Sequence, residues 1–104
     1  MKIRDIFMRM QEETSVKADG NKYYIQPYAG GMQGNIKRRD DTLLIRYYVS
    51  NDKVFVAFAK KDSLKEFDYK NYGINLDADV IEVKNLLHEN AAELYRVFAV
   101  LGNN

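Results

Sequence analysis

An α+β domain is predicted from three observations. The chain opens and closes on stretches with helical periodicity, its middle alternates every second residue, and nothing between them divides the 104 residues into separate units. Strands in succession flanked by helices fold as helices laid on one face of an antiparallel sheet. This length supports one hydrophobic core rather than two, so residues 1–104 are read as a single domain. The expected order is an N-terminal helix, four antiparallel strands, a short helix as one reading of residues 62–72, and a long C-terminal helix packed on the sheet.

Ile3, Ile6, Phe7 and Met10 recur at i, i+3, i+4 and i+7, the stripe of an amphipathic helix with Arg4 and Glu12 on its wet side. The pattern fades at Glu13-Thr14-Ser15. Asp19-Gly20 then separates two β-prone runs, 15–18 and 21–29, and this dipeptide is a strong hairpin turn because both residues tolerate positive φ. Pro27 cannot donate to a ladder, so the second run either ends there or lies at an edge. Three glycines and the cluster Lys37-Arg38-Arg39-Asp40-Asp41 make 30–41 read as a long, poorly ordered hairpin loop.

The clearest strands are 42–50 and 53–60, joined by a two-residue turn at Asn51-Asp52 that sets Ser50 against Lys53. One face then carries Leu43, Ile45, Tyr47, Val49, Val54, Val56 and Phe58, and faces the core. The other carries Leu44, Arg46, Tyr48, Phe55, Ala57 and Ala59, a mixed set. Ser63-x-x-Glu66 resembles a capping box for a short helix using Leu64 and Phe67 and stopping at Gly73; alternation of Phe67, Tyr69 and Asn71 is the weaker reading. Asp79-x-x-Glu82 caps the last helix. Val80, Val83, Leu86, Leu87, Ala91, Leu94, Val97, Phe98 and Leu101 hold one phase, which predicts a continuous helix ended by Gly102, with a break before Asn90-x-x-Glu93 as the alternative.

Composition narrows the function. Hydrophobic residues make up 46% and charged residues 30%, the balance of an ordinary globular domain. No apolar run reaches membrane-span length, and charges interrupt the first residues before a signal core could form. The absence of cysteine excludes disulfides and thiolate ligands, and fits the cytosol. Net charge is +1, low for a duplex-DNA binder, but it is unevenly spread. Residues 1–39 carry eight basic against four acidic groups, 40–75 carry six of each, and 76–104 carry two against five. Such polarity orients partners.

Chemistry finds little support. His88 is the one histidine and has no companion ligand for a metal. The three serines lack a nucleophile-elbow setting, and Gly30-Gly31-Met32-Gln33-Gly34 matches no phosphate-binding loop. Asp40-Asp41 and Asp77-Ala78-Asp79 read as a solvated loop and as helix-start charges. No cofactor, no metal and no enzymatic activity are expected.

Two binding modes remain. Ile81, His88, Ala92, Tyr95 and Ala99, spaced by seven, four, three and four, form a second stripe beside the core face of the last helix. A helix covering one sheet needs a single apolar face, so this stripe suits a protein partner or a homodimer, unless another helix of the same chain covers it. A small regulator or inhibitor, of the kind phages and mobile elements encode, has this character. The alternative is a single-stranded nucleic-acid binder. Arg46, Tyr48 and Phe55 on an open sheet face stack unpaired bases, and Lys37, Arg38 and Arg39 grip phosphates.

Overall fold

The computed structural model describes residues 1–12, 16–18, 22–28, 32–67 and 70–103. Its elements are α1 (Ile3–Glu12), β1 (Val16–Ala18), β2 (Tyr23–Tyr28), β3 (Gln33–Arg38), β4 (Leu43–Val49), β5 (Lys53–Lys60), β6 (Tyr72–Asn75), α2 (Val80–Leu86) and α3 (Ala91–Asn103). The six strands form one antiparallel sheet in chain order, β1-β2-β3-β4-β5-β6. All three helices contribute to the hydrophobic core on one face of it, so the α+β class and the flanking helices are as expected.

The β4–β5 hairpin matches its prediction residue by residue. Val49 pairs with Val54, the Ser50 N–H donates to the Lys53 carbonyl at 2.7 Å, and all seven expected core residues are buried. In α1 the predicted stripe of Ile3, Ile6, Phe7 and Met10 is buried. The first free N–H groups of this helix are satisfied by the main chain: Ile3 donates to the Ala78 carbonyl at 2.9 Å and Arg4 to that of Leu76 at 2.8 Å. Phe7 meets Tyr47 and Phe98 edge-on, at 5.2 and 5.7 Å, and so ties α1 to the sheet and to α3.

The sheet departs from expectation in its strand count. It has six strands rather than four, because 33–38 is strand and not loop, and 72–75 adds an edge. In β3 only Ile36 is a strongly apolar core residue. Gly34 sits on the same face because the hydroxyl end of Tyr47 and the Gln26 carbonyl occupy the space a side chain would need. The Asp19-Gly20 turn lies outside the described residues, although β1 and β2 do pair, Val16 with Ile25. Pro27 lies within β2 opposite Gly34 of β3, two residues past Ile25, the last β2 residue paired with β1 among the described residues.

The expected short helix is only a 3-10 turn at Lys61–Ser63 followed by one further turn, which closes when the Phe67 N–H donates to the Ser63 carbonyl at 2.7 Å. Phe67 itself takes the left-handed conformation at φ 43°, and Gly73 is inside β6 instead of stopping a helix.

The C-terminal helix is broken. Asp79 caps α2, accepting from the N–H groups of Ile81 at 3.0 Å and Glu82 at 3.2 Å. The chain then leaves the helix at Leu87 and restarts at Ala91, with Leu94 N–H bonded to the Asn90 carbonyl. The alternative reading, a break before Asn90-x-x-Glu93, is therefore the one observed; apolar phase survives the break, which is why periodicity favours a continuous helix. The break does turn Leu86 outward (61% exposed) and Leu87 inward. Gly102 does not end α3; it lies within it, where the tip of the Met1 side chain occupies the space that a side chain at 102 would take. Leu94, Val97, Phe98 and Leu101 are buried as expected. Among the described residues no helix is long and apolar enough to cross a membrane.

Candidate functional site

With every helix on one face, the opposite face of the sheet is where function is sought. Strand register arranges its outward residues in transverse rows. At one end Tyr28, Gln33, Tyr48, Phe55 and Gly73 stand side by side across β2 to β6. Behind them come Gln26, Asn35, Arg46 and Ala57, and then Tyr24, Lys37, Leu44 and Ala59. Lys53 and Asn75 complete the face beyond the first row. No Asp or Glu occupies any outward position of β2 to β6.

The first row is open. Tyr28 is 42%, Tyr48 51% and Phe55 41% exposed. Large aromatic surface left in water on strands that have a buried face available is the feature that asks for a ligand. The far end is closed: the turn after β5 folds back over it, Ala57 and Ala59 are buried, and the Arg46 guanidinium lies 4.5 Å above the Phe67 ring. That stacking also offsets the cost of holding Phe67 at positive φ, about 1–3 kcal/mol. The cover anticipated over Ala57 and Ala59 is thus a turn, and it stops short of the aromatic row.

Between open row and closed end, Asn35 is the organising residue. It is buried and bonded at both ends of its carboxamide: its amide nitrogen donates to the Tyr28 hydroxyl, and its oxygen accepts from Arg46 Nε at 3.4 Å. One carboxamide therefore fixes the direction of a tyrosine and of an arginine on the same surface.

The basic triplet does not act as a unit. Lys37 is outward and half-buried. Arg39 is exposed and its guanidinium stands 5.5 Å over the outward Tyr24 ring. Arg38, by alternation, points to the helical side. There it pairs with Glu93 of α3, donates to Thr42 Oγ1 at 2.7 Å and lies 5.7 Å from the Tyr23 ring centroid. Arg38 is a tie between sheet and helix rather than the phosphate contact expected of it. Asp40 closes the β3–β4 turn by accepting from Thr42 N at 3.1 Å and Oγ1 at 2.6 Å; the hydroxyl bond holds its carboxyl below the usual range.

The helical stripe is assembled only in part. Ile81, Tyr95 and Ala99 line one shallow groove of about 200 Å³ together with Met1, Asp79 and Val80. Ile81 is 62% exposed, and Lys84 Nζ caps the Tyr95 ring at 4.8 Å. His88 and Ala92 are exposed but line no part of this groove, because the break puts His88 in the connection between α2 and α3. The groove is therefore a seam between two helices and not the flank of one.

Tyr24, Tyr28, Gln33 and Asn35 were missed from the sequence. The alternation Tyr24-x-Gln26-x-Tyr28 is visible, but it points nowhere until β3 is known to be a strand.

Compared with protein-family models, curated proteins and solved structures, the chain matches none.

Proposed function

We propose that this protein is a non-enzymatic binding module that holds unpaired nucleic acid on the outward face of its sheet. One observation carries the reading: the open face joins exposed aromatic rings to Lys37, Arg39, Arg46 and Lys53 with no carboxylate on any outward strand position. Rings offer π-faces to splayed bases, and cations track the phosphates between them. Absence of acid matters as much, since one carboxylate in the row would repel the backbone it has to hold. A flat sheet cannot enter a duplex groove in the way a helix does, which favours single strands. Titration of a fluorescein-labelled oligothymidylate by anisotropy at low salt tests this. Binding by the wild type, weakened about tenfold by Tyr48→Ala, is expected from the loss of one stacked base. Equal binding by the Tyr48→Ala protein would remove the sheet face from the account.

A second reading rests on the groove of Ile81, Tyr95 and Ala99, a seam of mixed polarity between α2 and α3 in which Ile81 is exposed. It suits a protein partner or a second copy, in keeping with a small regulator or inhibitor. Sedimentation of the wild type and of Tyr95→Ala over a concentration series tests the second copy. Self-association lost in the variant supports it, and a monomer at all concentrations rejects it.

A further inference from the structure

Gly73 is the residue of the open row that has no side chain, and its backbone does not require that. It is in β6, which pairs regularly with β5, and its φ is not in the left-handed region. A glycine inside a strand is less favourable than an alanine there, so it marks a place where something must come close. What comes close is Phe55. A Cβ on Gly73 would stand 3.0 Å from Phe55 Cε1 and 3.5 Å from Cδ1, and the three atoms nearest to it would all belong to that ring.

Phe55 therefore leans out of β5 across the bare backbone of β6, and away from Tyr48, which the register sets directly opposite it. The ring–ring contacts among the described residues all belong to the helical side, and none joins Tyr48 to Phe55. The two rings are separate platforms. A methyl group on Gly73 would press on the Cδ1–Cε1 edge of the ring and force it to give by a few tenths of an ångström, off the seat that the bare backbone provides.

We infer that Gly73 is a positioning residue for base stacking: it seats Phe55 across β6 so that Phe55 and Tyr48 each receive one unpaired base. This inference rests on the nucleic-acid reading above. Seating of the ring for fold stability alone would be the ordinary alternative, since an aromatic across from a strand glycine also shields its backbone.

The experiment is a double-mutant cycle on oligothymidylate and oligouridylate affinity, with Gly73→Ala and Phe55→Leu alone and combined, and a thermal melt of each protein. Gly73→Ala is expected to melt at or above the wild-type temperature while binding about fivefold to tenfold more weakly, the lower end of what one stacked base contributes. In the Phe55→Leu background the same substitution is expected to change affinity little, because the ring it acts through is gone. Wild-type affinity in Gly73→Ala, an undiminished loss in the Phe55→Leu background, or a lowered melting temperature would each overturn the inference and leave the nucleic-acid reading standing. Failure of the wild type to bind either oligonucleotide would overturn that reading, and this inference with it.

Discussion

Tyr47 shows how much a single residue's environment decides. Its ring is buried under Phe7, its hydroxyl finds no hydrogen-bond partner among the described residues, and burial pushes its pKa up to about 12, with nearby Tyr28 adding to the shift. The unfolded chain ionises near the ordinary tyrosine value of about 10. Between these two values the unfolded state has lost a proton that the native state keeps. Stability is thus complete below pH ~10 and falls as pH rises toward ~12. Alkaline unfolding followed by circular dichroism should show this loss. Tyr47→Phe should abolish it, and should be neutral or stabilising at pH 7 by up to about 1–2 kcal/mol, since it removes an unpaired buried hydroxyl. An alkaline transition unchanged in that variant would assign the loss to another group. Arg38 gives the complementary lesson. Composition places it in a basic cluster with Lys37 and Arg39, but strand alternation sends it to the opposite side, to Glu93. Charge is legible in a sequence; the side of a sheet it faces is legible only once the strand is.

At the scale of elements, the β4–β5 hairpin was legible because its two signals agree: strict alternation fixes the buried face, and the Asn51-Asp52 turn fixes the register. The same alternation is enough to put Arg46, Tyr48 and Phe55 together on the outward face. β3 was not legible, because Gly34 and Asn35 replace the apolar residues that mark a strand, and both have structural reasons: one admits Tyr47, the other binds Tyr28. Losing β3 hid the site's other half, Tyr24, Tyr28 and Gln33. The break between α2 and α3 was legible only as the alternative offered by Asn90-x-x-Glu93, since the apolar phase carries across it and favours a continuous helix. Adjacent leucines test that break. Leu87→Ala should cost about 2–5 kcal/mol and Leu86→Ala within about 0.5 kcal/mol, measured by urea denaturation. A continuous helix would make both costly.

For the whole molecule, three helices on one side leave the other side of a six-stranded sheet to a single short turn, and beyond that turn the chain has used it for rings, carboxamides and cations. The near-neutral total conceals this arrangement. Acidic residues concentrated in 76–104 belong to the helical side and the segment leading into it, whereas the outward strand positions carry none. The acids nearest this face, Asp62 and Glu66, lie in the turn that covers its far end, and the open row itself carries none, so the open end is the part suited to a polyanion. The salt dependence of oligothymidylate affinity, measured between about 50 and 200 mM NaCl, tests this most directly. With about three phosphates held by Lys37, Arg39 and Lys53, the logarithm of the affinity should fall with the logarithm of salt at a slope near −2 for a single strand. Lys37→Ala should reduce that slope by about 0.7. A flat response, or a slope unchanged by Lys37→Ala, would contradict the assignment of this face to nucleic acid.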